Sequence, residues 1–258
     1  MYNPKFNYQP IPREQVNGQR LYATPTGRVP SVTTILDKTK PEEKKKALQE
    51  WRNRVGEEEA NRISKIASGR GTGVHTLCER YINNEPLGSC MPDALEMFLS
   101  IKPYLNKINN IYYQEQALWS EQLGLAGRCD CIGHYEGELA SIDFKTSRRP
   151  KKEEDIEDYF QQTTAYALMH EELTGIPINK LVIIMAVEDN PPLIFVKETA
   201  DYIDGLVKSI DIYLLYFLAG VLFCCFIIWN GPDVYISFFS AVSKAFSTLA
   251  PTYNAPIA

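Results

Sequence analysis

The chain has 258 residues, 45% of them apolar and 23% charged, with a net charge of −5; this is the make-up of an ordinary soluble globular protein long enough to bury a sizeable core. That charge balance excludes a globally basic nucleic-acid binder, so any nucleic-acid surface must be a local patch. Six cysteines at irregular spacing are too few for a disulfide framework, and the polar opening stretch lacks the features of a signal peptide, so a reducing, intracellular setting is expected.

Residues 1–30 read as an extended arm, because Pro4, Pro10, Pro12, Pro25 and Pro30 forbid a long helix. "VPSVTTIL" (29–36) is a short strand or a helix start. Pro41 suits the first turn of a helix that Gly56 would stop. A second charged helix, 57–67, meets glycines at 69, 71 and 73, which are expected to release the chain into another helix with an apolar stripe of Val74, Leu77, Tyr81 and Ile82. Residues 93–109 form one more helix, disturbed by Pro103. The period then changes to two. Residues 111–121, 125–137 and 139–147 alternate like strands, with "EGEL" as a turn. A helix over 153–175 carries the stripe Ile156, Phe160, Thr163, Ala167 and ends at Gly175 and Pro177. The strands "KLVIIMAVE" and "LIFVKE" close the body around a "DNPP" turn. Helices, three antiparallel strands, a helix and further strands predict an α/β sheet with helices packed on it and an N-terminal helical portion.

The body spans 31–209, and 210–258 is an apolar tail. Its stretch "IYLLYFLAGVLFCCFIIW" (212–229) holds no charge. As a helix it would be about 27 Å long, at the lower limit for a membrane span. A membrane anchor, a buried core helix and a tail foreign to the domain, such as an altered reading frame, are the competing readings.

"SIDFKTS" (141–147) places Ile142 and Phe144 on one strand face and Asp143 and Lys145 on the other. Asp130 lies on the preceding strand, thirteen residues before Asp143 with a turn midway. In such a hairpin the two carboxylates can share a face, and they repel unless something positive sits between them. A divalent cation with oxygen ligands is the usual answer, and magnesium combines one or two carboxylates with water and phosphate oxygens. Lys145 could then position a water or neutralise charge on a phosphate. Cys129 and Cys131 flank Asp130 on the same strand and read as small buried hydrophobes.

"GLAGRCDCIG…SIDFKTS" resembles the core of the PD-(D/E)xK nucleases, in particular their RecB-like branch. "GTGVH", "QEQALWS", "DFKTS" and "QTTAY" agree with that branch in order. Over roughly 28–200 the arrangement is most similar to the mitochondrial genome-maintenance exonucleases and related phage exonucleases. The resemblance implies a restriction-endonuclease-like central mixed sheet flanked by helices. It implies that His75, Asp130 and Asp143, helped by the Phe144 carbonyl, hold magnesium or manganese. Glu115 would tune the site or bind a second ion, and Lys145 would position the attacking water. Gln162 and Tyr166, four apart on one helix face, would position the substrate backbone. Glu79, one turn after His75, either orients its ring or is a surface glutamate.

Two basic clusters supply local positive charge: Lys38, Lys40, Lys44, Lys45 and Lys46, and then Arg148, Arg149, Lys151 and Lys152 directly after the catalytic strand. The second is expected to meet a phosphate backbone. Arg128 touches phosphate or pairs with a carboxylate. Trp51, Tyr112 and Trp119 are candidates for stacking on unpaired bases, with core packing favoured for Trp119. The expectation is a metal-dependent DNA exonuclease acting on single-stranded DNA or free ends in replication, recombination or repair, in which Lys145→Ala leaves folding intact and abolishes digestion. The alternatives are a CRISPR-associated-type RecB-like nuclease with an iron–sulfur cluster, whose late cysteines would have to include Cys224 and Cys225, and a catalytically silent DNA-binding accessory module.

Overall fold

The computed structural model describes residues 10–16 and 18–230, the side chains of 220–230 excepted. The chain divides into two compact units, Met1–Ser209 and Ile210–Ala258. The first holds two sheets. The larger runs in the order β4 (Ile108–Ser120), β5 (Leu125–Tyr135), β6 (Glu138–Ser147), β7 (Lys180–Val187), β8 (Leu193–Glu198). Neighbours are antiparallel except β6 and β7, which run parallel. Parallel neighbours need a crossover, and α5 (Glu157–Thr174) lies within it.

After Lys180, β7 is apolar because both its faces are covered. Val182, Ile184 and Ala186 pack with Val74, Leu77, Phe98 and Ile101 from α3 (Glu57–Ile82) and α4 (Pro92–Leu105). Ile183, Met185 and Val187 pack on the opposite face with Ile156 and Phe160, at the start of α5. The same alternation sends Ile142 and Phe144 of β6 into the α3–α4 cluster. The fold is therefore a mixed α/β sheet flanked by helices, of the restriction-endonuclease-like kind.

Three departures from the sequence reading have physical causes. The expected proline-rich arm contains a small antiparallel sheet, β1 (Arg13–Val16), β2 (Gln19–Thr24) and β3 (Gly27–Pro30). Two of its prolines stand just before the first strand or at the last residue of the third, where they break no central ladder. A backbone bridge from Ser31 to Ala126 of β5 and packing of Ile11 and Tyr22 on Ala126 tie this sheet to the larger one. Ser31 then caps α1 (Val32–Lys38) by accepting from the Thr34 amide at 3.1 Å, which settles "VPSVTTIL" as a strand end followed by a helix.

Second, α3 is one helix of 26 residues that passes through Gly69, Gly71 and Gly73 without a break. The cost of glycine in a helix is about 1 kcal/mol each, and close packing explains Gly73. A Cβ on Gly73 would sit 2.9 Å from the Ala94 side chain of α4, and one on Gly71 would sit 3.4 Å from Thr146 Oγ1 of β6. Gly56, in contrast, does end α2 (Glu42–Val55), with φ 87°.

Third, α6 runs from Ala200 to Asn230, and no helix among the described residues is long and apolar enough to cross a membrane. The larger part of the expected span at 212–229 lies outside the described side chains, as do Cys224 and Cys225. Cys78, Cys129 and Cys131 are buried free thiols, and none joins a cluster of ligand atoms among the described residues.

Candidate metal centre and cleft

β5 and β6 form a hairpin whose two-residue turn, Glu136 and Gly137, has φ of 52° and 91°, the left-handed pair that matches strand twist. Their ladder runs from Tyr135–Glu138 up to Cys131–Ile142 and ends there. The next residues in register would be Asp130 and Asp143. At that point the strands part, and a side chain replaces the ladder: the Phe144 amide donates to Asp130 Oδ2 at 2.8 Å. A backbone N–H that would otherwise be orphaned is thereby satisfied by a carboxylate.

On the other side of β5, Glu115 of β4 stands opposite Asp130, between the paired residues Gln114–Cys131 and Gln116–Cys129. Its φ is +47°, a left-handed conformation that is uncommon for a glutamate. From α3, His75 Nδ1 reaches Asp130 Oδ2 at 3.4 Å. One ligand atom each from His75, Glu115 and Asp130 lie within 4.8 Å of one another. Three elements thus bring one imidazole and two carboxylates to a point, a donor set that suits a divalent cation.

Asp143 does not join this group. It is fully buried, its Oδ2 lies 2.6 Å from Lys145 Nζ, and its Oδ1 accepts from Gln162 Nε2 at 3.1 Å. Of the expected ligands His75, Asp130 and Asp143, the first two stand in the cluster with Glu115, and Asp143 stands beside it, engaged with Lys145. Lys145 is two residues on along the same strand face, and a buried carboxylate pairs with the nearest cation. Gln162 links the pair: its Oε1 accepts from Lys145 at 3.4 Å, and its Nε2 also donates to the Tyr166 hydroxyl at 3.2 Å. The Lys145 ammonium lies 5.0 Å from the centre of the Tyr159 ring. Phe144, expected to offer its carbonyl, is engaged through its amide and its buried ring.

The charges respond to this crowding. Burial works against a charged His75, but Asp130 beside it outweighs that and raises its pKa to about 9. Burial, with the Asp130 charge adding to it, raises Glu115 to about 7. Burial likewise lifts Asp143 to about 6, against the pull of Lys145. Asp130 is held below the ordinary range: burial opposes ionisation, but His75 and Lys145 more than compensate. Lys145 is held charged, against its own burial, chiefly by Asp143 and Asp130.

A cleft of about 500 Å³ opens over these groups. Glu79 lines it one turn beyond His75, and Gly127, Gln162 and Tyr166 line it from the sheet and α5. A Cβ on Gly127 would sit 2.7 Å from the Tyr166 ring. Gly127→Ala is therefore expected to push Tyr166 and its partner Gln162 aside, lowering stability by about 1–3 kcal/mol in urea denaturation. Unchanged stability would mean that the ring moves freely.

The expected substrate contacts fare unequally. Arg128 pairs with a carboxylate: its Nε lies 2.9 Å from Glu115 Oε2 and donates to the Glu115 carbonyl at 2.7 Å. Arg148 lies 3.6 Å from Glu188. Arg149, Lys151 and Lys152 are exposed just past β6. In the first cluster, Lys40, Lys45 and Lys46 pair with Asp37, Glu42 and Glu50 near them in the chain, and Lys44 donates to the Asp155 carbonyl. Tyr112 is buried and stacks on His134, so it is not free to stack on a base. Trp119 packs against Ile11, Tyr22 and Ala126. The sequence reading missed Tyr159, Arg13 and Arg20. The last two line the cleft from β1 and β2, and recognising the Asn17-Gly18 hairpin signal would have found those strands.

Comparison with known proteins follows the same lines. The model of the PD-(D/E)XK nuclease superfamily matches residues 33–190. A Xenopus tropicalis protein, mitochondrial genome maintenance exonuclease 1, is 29% identical over 182 residues, which cover 64% of this chain and 50% of that protein. The Mus musculus and Homo sapiens proteins of the same name are 28% and 27% identical, each over 64% of this chain and 51% of their own length. The chain thus spans about half the length of the curated relatives it matches.

Proposed function

The chain belongs to the PD-(D/E)XK nuclease superfamily, and from that premise we propose that it is a divalent-metal-dependent DNA exonuclease. The observation that carries the metal is the meeting of His75, Glu115 and Asp130 ligand atoms within 4.8 Å, beside a buried Asp143–Lys145 pair. When bound there, magnesium or manganese would neutralise phosphate charge and make a water more acidic.

The chain's own residues do the rest. Asp130 holds the His75 ring in place and anchors the Phe144 amide, so that the strands keep their spacing. Asp143 and Gln162 hold the Lys145 ammonium at the floor of the cleft. From there it orients a water or offsets charge that builds up on the phosphate during in-line attack. Glu115, raised to about 7, is able to take up or release a proton near neutral pH. Tyr166 fixes Gln162 from behind.

Single-stranded DNA or a free end is the proposed substrate; the word exonuclease in the names of the curated relatives supports the free end. The test is digestion of single- and double-stranded oligonucleotides labelled at either end, in magnesium or in chelator. Magnesium-dependent shortening from an end is expected. Loss of label with chelator present, or no digestion under any condition, would overturn the reading.

A further inference from the structure

The cleft poses a charge problem. Its lining carries Glu79, Glu115 and Asp130, yet the proposed substrate is a polyanion. Most of its cations are already committed: Lys145 to Asp143, Arg128 to Glu115, and His75 to Asp130. Two are not. Arg13 on β1 and Arg20 on β2 line the same cleft, both are exposed, and neither has a carboxylate partner among the described residues. On the same small sheet Arg28 is paired, its Nε 2.9 Å from Glu14 Oε2.

A second cavity of about 410 Å³ adjoins the first and shares Arg13, Tyr22, Glu115 and Arg128 with it. It continues past Pro10, Ile11 and Gln116. The two cavities thus meet along the wall that holds Arg13, with Glu115 lining both. Burial raises the Tyr22 phenol on this wall, with Arg20, Arg13 and Arg128 opposing that rise and Glu115 adding to it.

Resting on the nuclease reading, we propose that the N-terminal sheet is a substrate clamp in which Arg13 and Arg20 grip the phosphate backbone of a single strand beyond the bond being cut. The guanidinium fork matches phosphate oxygens in a bidentate way and carries its charge at any working pH. Both side chains project from strands of a sheet tied to β5 through Ser31 and Ala126, so the grip is fixed relative to Asp130 on that same strand. These arginines act on binding and register and do not take part in bond breaking.

The experiment uses the full chain with Arg13→Gln and Arg20→Gln combined, and Arg28→Gln as a control of equal charge type on the same sheet. Binding of a fluorescent single-stranded oligonucleotide is followed by anisotropy in calcium at several salt concentrations, and cleavage is followed in magnesium. The double variant is expected to bind about tenfold more weakly. Its log–log salt slope should be shallower by about 1.4, two single-strand phosphate contacts at about 0.7 each. KM should rise with kcat and manganese binding unchanged, and Arg28→Gln should behave as wild type. An unchanged salt slope in the double variant, or an equal loss in Arg28→Gln, would overturn the clamp while wild-type cleavage still stands. Absence of wild-type cleavage and binding would overturn the nuclease reading and the clamp together.

Discussion

Replacing Lys145 by alanine is expected to abolish magnesium-dependent digestion and also to destabilise the metal-free protein by about 3 kcal/mol or more above pH 7. The activity loss follows from the position of the ammonium in the cleft; removing one preorganised charge donor costs about 100- to 1000-fold. The stability loss follows from burial. Asp143 is fully buried and has Lys145 as its ion-pair partner at 2.6 Å, so alanine strands a carboxylate in the interior. This departs from the sequence expectation that the variant folds undisturbed, because the strand face that carries Asp143 is covered by α5. The pH dependence has a definite sign. Asp143 is already raised to about 6 by burial, and losing the ammonium pushes it higher. A carboxyl with a raised folded pKa contributes stability that is present below its ordinary value and is lost as pH rises through the folded one. The deficit should therefore shrink towards pH 5, as Asp143 takes a proton, and grow towards pH 8. Urea denaturation at both values checks this, and an equal deficit at the two would show that the Asp143 carboxylate finds another partner.

The second large effect belongs to Asp130. Asp130→Asn keeps an acceptor for the Phe144 amide but removes the charge that His75 and the ion both need. Manganese affinity is expected to fall by at least about 100-fold, the upper range for losing even a supporting group around a metal, and digestion with it. The His75 pKa, about 9 beside Asp130, should drop towards or below the ordinary histidine value, read from its ring proton resonances. In the wild type, His75 at about 9 and Glu115 at about 7 are both raised groups. Their stabilising contributions are present below their ordinary values and lost as pH rises through 7 and then 9. The metal-free protein should thus weaken over that window while manganese binds more tightly, because the ion competes with the same two protons. A wild-type manganese affinity that stays flat from pH 6 to 9 would remove His75 and Glu115 from the ligand set.

How much of this was legible before the structure depended on whether the signal was local. The alternation of Ile142, Asp143, Phe144 and Lys145 is local, and it placed two side chains in a core and two at a site. The β5–β6 hairpin was equally plain from Glu136-Gly137 and from two aspartates thirteen positions apart. The unbroken α3 was not, since glycine raises the cost of a helix only modestly, and the Ala94 contact that favours Gly73 comes from another helix. The N-terminal sheet was hidden because prolines were counted against a helix without asking whether they sat at strand ends. Register explains the rest. Nothing in the chain alone says that Asp143 turns to Lys145 while Glu115, held in a left-handed conformation, completes the group with His75 and Asp130.

The parting of β5 and β6 has a mechanical meaning. Below Cys131 and Ile142 the hairpin is zipped by its ladder, while above them the acidic strands form a wedge with a carboxylate strut across its mouth. Above that point one side chain, not a run of backbone pairs, joins the two strands, so the placing of Asp130, and of the ligand atoms beside it, leans on the Phe144 amide, while the zipped portion keeps the rest of the hairpin shut.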